Sequence, residues 1–282
     1  MSDRNLDIVV FGATSFVGQI LSRYLVDTFG VHGKIKWAIA GRSESKLNTL
    51  KSELGPKAAK LPVLTADAAD EAALGKMCEQ ARVVVSTVGP YALFGEPLVK
   101  VCVETGTDYC DLTGEVQWLR KMISKYEDQA RKSGARIVHC CGFDSIPSDL
   151  GVFFLQQQAM QSFGQPSIDV SMRVKAARGS FSGGTVASLM NVAKEAASDP
   201  ALRKELANPF SISPPGHRSE KRQPGVRGAA FDKDLKVWLG PFVMAAINER
   251  IVHRSNGLQD AAYGKEFTYN EAMIMGKGLK GR

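Results

Sequence analysis

Through the first half of the chain, short apolar runs of β type alternate with stretches whose apolar residues recur at helical spacing. The pattern predicts strands over Asp7–Phe11, Lys34–Ala40, Leu61–Thr65, Ala81–Thr87, Tyr109–Asp111 and Arg136–Cys140. Between them it predicts helices over Ser15–Phe29, Ser43–Leu54, Asp70–Glu79, Gly95–Thr105 and Val116–Ser133. Ser43 stands where a helix N-cap belongs, and Gly134 where a C-cap belongs. The fourth of these runs, Ala81–Thr87, is rich in valine, as a strand covered on both faces is. Regular strand–helix alternation of this kind makes a parallel sheet with crossover helices.

The rhythm changes after Cys140. Cys141–Asp149 is a loop running into a helix, with Pro147 in its first turn. Ser167–Ala177 alternates as a strand, and Ser182-Gly183-Gly184-Thr185 opens a helix reaching about Ala197. Asn208–Gly228 is rich in Pro, Gly, Ser and charge and is expected to be an exposed excursion. Leu235–Trp238 and Glu249–His253 are expected to be strands flanking apolar Pro241–Ile247. The change of rhythm sets the expected domains at 1–140 and 141–282.

The most informative single stretch is Ile8-Val9-Val10-Phe11-Gly12-Ala13-Thr14-Ser15-Phe16-Val17-Gly18. A β run stops at a glycine, crosses a small-residue turn and resumes as a helix. That is the opening of a dinucleotide-binding half-domain. Gly12 lets the chain turn, and Gly18 lets the helix approach the strand. The amides of Ala13, Thr14, Ser15 and Phe16 are expected to face a pyrophosphate at the helix N-terminus, with Val17 completing the turn. Ser15 occupies the position where the usual pattern has its middle glycine.

The second strand of such a domain ordinarily ends in an acid that binds the adenosine ribose of NAD. Here it runs Ile39-Ala40-Gly41-Arg42-Ser43. A guanidinium at Arg42 can stack on adenine and pair with a 2′-phosphate, and Lys46 can add to it, so the expected cofactor is NADP rather than NAD. Asp67 is positioned either to accept from the adenine amino group or to form a turn. Val88, Gly89 and Pro90 follow the fourth strand, where loops line the ligand crevice. Tyr91 next to them is a candidate to stack on nicotinamide or donate a proton, or else a packing residue. Asp144 and Ser145, on the loop joining the halves, and His139, ending the sixth strand, are further candidate proton donors. Helix capping competes for the first two, and a purely structural place for the third. Tyr109, Asp111, Thr113 and Glu115 form either a polar wall or a tight turn.

Size and composition narrow the field. The 282 residues suffice for one large domain or two modest ones, and 44% apolar content is that of an ordinary globular protein. No run of eighteen apolar residues occurs, and the first residues lack the apolar core of a secretory signal. Five cysteines, odd in number and without C-x-x-C spacing, suggest a reduced, cytoplasmic setting. Net charge is +7, and from Ala201 onward 14 Lys/Arg face 8 Asp/Glu, so that stretch carries +6 of it. Basic residues without interleaved aromatics do not make a nucleic-acid motif; they leave an anionic cofactor, or peripheral association with a lipid surface, as partners. No metal-ligand spacing and no G-x-S-x-G elbow is present.

Taken together, the Gly12–Gly18 turn, Ala40-Gly41-Arg42, Ser86–Tyr91, Thr105–Glu115, Cys141–Gly151 and Ser182–Thr185 resemble the saccharopine dehydrogenase-like oxidoreductases, which include the trans-acting enoyl reductases. The resemblance runs along nearly the whole chain. It implies an α/β protein: an N-terminal Rossmann domain with a doubly wound parallel sheet, then a second α/β (α+β) domain with a mixed sheet. That second sheet helps form the substrate site and often a homodimer. It implies an NADP(H)-dependent reductase acting on a C=C bond of a small-molecule, acyl or lipid-type substrate. Two alternatives stay open: a non-catalytic cofactor-binding or lipid-associated protein, and a saccharopine dehydrogenase acting on an imine, with Arg173, Lys175 and Arg178 binding a diacid. Family chains usually continue beyond Arg282, so the second domain is expected to be incomplete relative to them.

Overall fold

The computed structural model describes residues 4–177 and 183–278. The chain begins β1 (Leu6–Phe11), α1 (Phe16–Phe29), β2 (Trp37–Gly41), α2 (Glu44–Glu53), β3 (Val63–Thr65), α3 (Glu71–Cys78) and β4 (Ala81–Ser86). It continues with α4 (Tyr91–Phe94), α5 (Glu96–Thr105), β5 (Asp108–Asp111), α6 (Val116–Ser133) and β6 (Ile137–Val138). Then come α7 (Ile146–Phe163), β7 (Asp169–Val174), α8 (Gly183–Ser198), α9 (Pro200–Leu206), β8 (Ala230–Asp232), β9 (Val237–Pro241), α10 (Ala245–Leu258) and β10 (Thr268–Gly276). Two compact units result. The first takes in Met1–Cys141 and Ser182–Ala193, the second Gly142–Phe181 and Lys194–Arg282.

In the first unit six parallel strands lie in the order β3-β2-β1-β4-β5-β6. Period-2 alternation sends Val9 and Phe11 into one core, with Leu98, Tyr109 and Trp118, and Val10 into the other, with Trp37, Ile39 and Leu47. Both faces of the sheet are therefore buried, which is why its strands are apolar throughout. The amphipathic α6 turns Trp118, Leu119, Met122 and Tyr126 inward and ends at Gly134 in the left-handed region (φ +79°). Burying each of those large side chains stabilises by about 1.5–3 kcal/mol. All six strands share one direction, so their carboxyl ends line one edge. The order reverses between β1 and β4, the switch point where such sheets bind ligands.

The second unit holds a four-stranded sheet in the order β7-β10-β9-β8. β10 runs parallel to β7 and antiparallel to β9, so the sheet is mixed. Its core gathers Val152, Val170, Val252, Tyr263, Phe267 and Tyr269.

Three expectations need correction. Glu249–His253 is not a strand but part of α10, whose buried positions Ile247, Asn248, Val252, His253 and Asn256 follow helical spacing. The central strand β10 was not expected at all, nor were β8 and α9. Asn208–Gly228 forms no helix or strand, yet it is docked rather than free: Ile212 is 2% exposed, and the Gln223 amide bonds both the Phe267 carbonyl and the Tyr269 N–H. Arg178 and Ser182 lie outside the described residues.

Candidate functional site

The β1–α1 turn is shaped by two close approaches. A side chain at Gly12 (φ +82°) would strike Val88 Cγ2 at 2.6 Å and Thr87 Oγ1 at 2.8 Å. One at Gly18 would strike the Ala13 backbone at 2.8 Å. Ser15 is the N-cap of α1: its Oγ accepts the Gly18 N–H at 3.0 Å and lies 2.9 Å from Thr87 Oγ1. The amides expected to face a phosphate divide into two groups. Ala13 N donates to the Ala40 carbonyl and Ser15 N to the Gly12 carbonyl, so these two are spent inside the turn. The amides of Thr14, Phe16 and Val17 have no hydrogen-bond partner among the described residues. The donors at the helix mouth are thus Thr14, Phe16 and Val17, not the run from Ala13 to Phe16.

At the neighbouring strand end, Arg42 is exposed immediately after β2, and Ser43 caps α2 by accepting the Lys46 N–H. Lys46 is exposed on the first turn of α2. Asp67, after β3, forms an Asx turn by accepting the Ala69 N–H at 2.9 Å, and its side chain is exposed. On the other side of β1, Val88, Gly89 and Pro90 follow β4 and lead into α4, with Val88 against Gly12.

A buried carboxylate fixes that loop. Glu115, fully buried, accepts the Tyr91 N–H at 2.7 Å and the Ala92 N–H at 3.0 Å, capping the four-residue α4 through space. It also accepts the Ser188 hydroxyl at 2.9 Å. The Tyr91 side chain is buried; its hydroxyl donates to the Ser86 carbonyl and accepts the Leu112 N–H. Burial, aided by the charge of Asp111, pushes this phenol well above its ordinary pKa. The hydroxyl therefore keeps its proton and ties β4 to the segment after β5.

Asp111, at the carboxyl end of β5 and 1% exposed, is saturated with donors. Oδ1 accepts the N–H groups of Thr113 and Cys140, both at 3.0 Å. Oδ2 accepts the Tyr109 hydroxyl at 3.0 Å and faces His139 Nδ1 at 2.6 Å. The His139 ring makes edge contacts with Trp118 (centroids 5.0 Å apart) and Tyr109 (5.6 Å). Trp118 has room because a side chain at Gly95 would meet its indole at 2.6 Å. The Tyr109, Asp111, Thr113, Glu115 series is thus a buried polar network and a turn at once.

Asp144 and Ser145 belong to the second unit. Asp144 is exposed. Ser145 is buried and donates to Asn248 Oδ1 at 2.9 Å; Asn248 donates on to Ser148 Oγ and Glu271 Oε2. Arg173, the candidate to bind a diacid, pairs with Asp232 at 3.2 Å and bonds Asn270. The second unit also has a cleft of about 340 Å³ whose lining includes Phe210, His217, Arg218, His253 and Lys265.

Residues 8–138 match the saccharopine dehydrogenase NADP binding domain. A Mycobacterium tuberculosis protein provisionally named a trans-acting enoyl reductase is 43% identical over 279 residues, 97% of this chain and 66% of its own length. Another M. tuberculosis protein, named trans-acting enoyl reductase, is 39% identical over 287 residues, 99% of this chain and 68% of its own. The chain belongs to the saccharopine dehydrogenase-like oxidoreductase family. It spans about two-thirds of the length of these curated relatives. Yeast saccharopine dehydrogenase superposes with a TM-score of 0.45 at 20% identity, over 61% of this chain and 35% of that one.

An NADP-binding domain of this family needs a cradle for two phosphates, and the residues present fit one. The turn has no room for a side chain at Gly12 or Gly18, its mouth offers unpartnered N–H groups, and α1 adds its dipole. Arg42 carries the only kind of charge that suits a 2′-phosphate at the end of β2, where an acid would repel it. Among the described residues no helix is long and apolar enough to cross a membrane, and no cluster of three or more His, Cys, Asp or Glu residues could hold a metal ion.

Proposed function

We propose that this chain is the NADP(H)-binding part of a reductase that saturates the C=C bond of an enoyl thioester of acyl or lipid type. The observation that carries this reading is 39–43% identity along nearly the whole chain to proteins named trans-acting enoyl reductase, together with the close-packed Gly12–Gly18 turn. When bound, NADPH supplies a hydride and its nicotinamide is oxidised. The chain's own contribution is binding and orientation. The N–H groups of Thr14, Phe16 and Val17 hold the pyrophosphate; Arg42 and Lys46 hold the 2′-phosphate; Asp67 faces the adenine. Val88, Gly89 and Pro90, braced by Glu115, form the wall beside the nicotinamide.

Titration with NADPH and NADH by fluorescence, followed by addition of an enoyl N-acetylcysteamine thioester, tests the reading. Tight NADPH binding and thioester-dependent loss of NADPH absorbance are expected. Turnover of saccharopine instead would replace the substrate class. Binding without turnover of either probe would make the chain a cofactor-binding protein only.

A further inference from the structure

We propose that His139, oriented by Asp111, is the proton donor of the reduction, delivering the proton from Nε2. This rests on the reading above, since it gives a task to a group inside the same unit. The inference begins with the saturation of Asp111. Four donors converge on its two oxygens, from Tyr109, Thr113, Cys140 and His139. A carboxylate with its four lone-pair positions filled has only an acceptor role, so the 2.6 Å contact requires a proton on His139 Nδ1. That fixes the tautomer. In the neutral ring Nε2 is bare; in the imidazolium it carries the one proton that can leave without breaking the bond to Asp111. Nε2 has no hydrogen-bond partner among the described residues.

Position agrees with this task. Asp111 ends β5, and His139 follows β6, its partner. Both lie at the carboxyl edge of the sheet, the edge that carries the Gly12–Gly18 turn, on the β4 side of the switch point. The ring is held by edge contacts with Trp118 and Tyr109, so it cannot rotate away from its carboxylate without unpacking two aromatic neighbours. The titratable groups around it are Asp111 and Tyr109 of β5, Tyr91 of α4, Cys140 beside it and Glu115 before α6. Burial pushes both phenols up, so neither Tyr91 nor Tyr109 gives up a proton near neutral pH. Among these groups the imidazole is the one that can carry a second proton while keeping its bond to Asp111.

The chemistry balances. Reduction of an enoyl thioester adds one hydride and one proton across the double bond. The hydride, supplied by NADPH, goes to the carbon distal to the thioester carbonyl. The proton goes to the carbon adjacent to that carbonyl: the Nε2–H bond breaks, the new C–H bond forms, and the neutral imidazole regains its proton from water. Asp111 keeps Nδ1 protonated throughout and never bonds the substrate, so it is a positioning residue.

The test combines kinetics with spectroscopy. Wild type, His139→Gln and Asp111→Asn are first checked for NADPH affinity and circular dichroism. With ¹⁵N-histidine labelling, wild type should show His139 as the single Nδ1–H tautomer when neutral, and Asp111→Asn a mixture. With the enoyl N-acetylcysteamine thioester, His139→Gln should lose about 10²–10⁴-fold in kcat with NADPH affinity unchanged. It should also lose exchange of the proton next to the carbonyl of the saturated thioester into D2O. An Nε2–H tautomer in wild type, or a His139→Gln enzyme keeping more than a third of the wild-type rate, overturns this proposal alone. If His139→Gln fails to fold, the tautomer and the wild-type exchange decide. Wild type that binds NADPH but neither reduces nor exchanges either thioester overturns the function proposed above and this role with it.

Discussion

Ser15 Oγ lies 2.9 Å from Thr87 Oγ1 while also capping α1, so one hydroxyl joins the first turn of the helix to the end of β4. Thr87 in turn donates to the Gly12 carbonyl at 2.8 Å. The serine at the usual glycine position is therefore a working part of the turn. Ser15→Ala should cost about 1 kcal/mol, seen as a Tm lower by about 2–4 °C, and should weaken NADPH in a fluorescence titration. Ser15→Gly should cost only a few tenths of a kcal/mol. Equal melts for Ala and wild type would remove the capping role.

Two glycines make opposite predictions. Gly18→Ala forces a methyl into the Ala13 backbone and should cost about 1–3 kcal/mol in a urea melt, with loss of NADPH binding. Gly75, inside α3, has nothing within 4 Å of its would-be side chain, so Gly75→Ala should add about 0.5–1 kcal/mol. A Gly18→Ala protein as stable as wild type would mean that α1 does not need its close approach.

Arg42→Ala should weaken NADPH by about 10–100-fold, the worth of a charge-assisted hydrogen bond to the 2′-phosphate, and leave NADH unchanged. Isothermal titration with both nucleotides reads the difference. Equal losses for the two would assign Arg42 to the adenine rather than to the phosphate.

The second unit has two buried titrating groups that pull stability in opposite directions. Burial, countered by the Glu271 N–H it accepts and reinforced by the Glu271 charge, raises Glu249 from 4.5 to about 7. The folded state holds this proton more tightly than the unfolded chain, so stability is lost as pH rises from 4.5 through 7. Burial, aided by Arg250, lowers His253 from 6.5 to about 4. Here the unfolded chain binds the proton more tightly, so stability is lost as pH falls from 6.5 through 4. Between about pH 4.5 and 6.5 the slopes offset each other. Glu249→Gln should therefore expose a stability that climbs with pH up to 6.5, and His253→Gln one that declines toward 7, each on the order of 2 kcal/mol. Urea midpoints across pH 4–8 measure both; two parallel curves would refute the assignment.

The first unit was legible because periodicity and burial coincide there. Val116–Ser133 was predicted to the residue, since Val116, Leu119, Met122 and Tyr126 recur at helical spacing. The second unit buries polar groups, and these hide the period. In α10 the inward positions include Asn248, Arg250, His253 and Asn256, so Glu249–His253 mimicked strand alternation. In β10, Asn270 and Glu271 are buried, and both strand faces are covered, so no alternation marks it. The close-packed glycines of the first turn were legible in the sequence because each has a fixed offset from a strand end. The partnership of Asp111 with His139 spans 28 residues and two neighbouring strands, and only the sheet register brings it about.

The place of β10 has a consequence for biosynthesis. Among the described residues β7 pairs only with β10, and β9 also leans on it. A growing polypeptide that has left the ribosome as far as α10 thus holds three strands with no middle. The first unit's sheet, complete by Val138, can fold during translation, whereas the second waits for its keystone to emerge about 130 residues later.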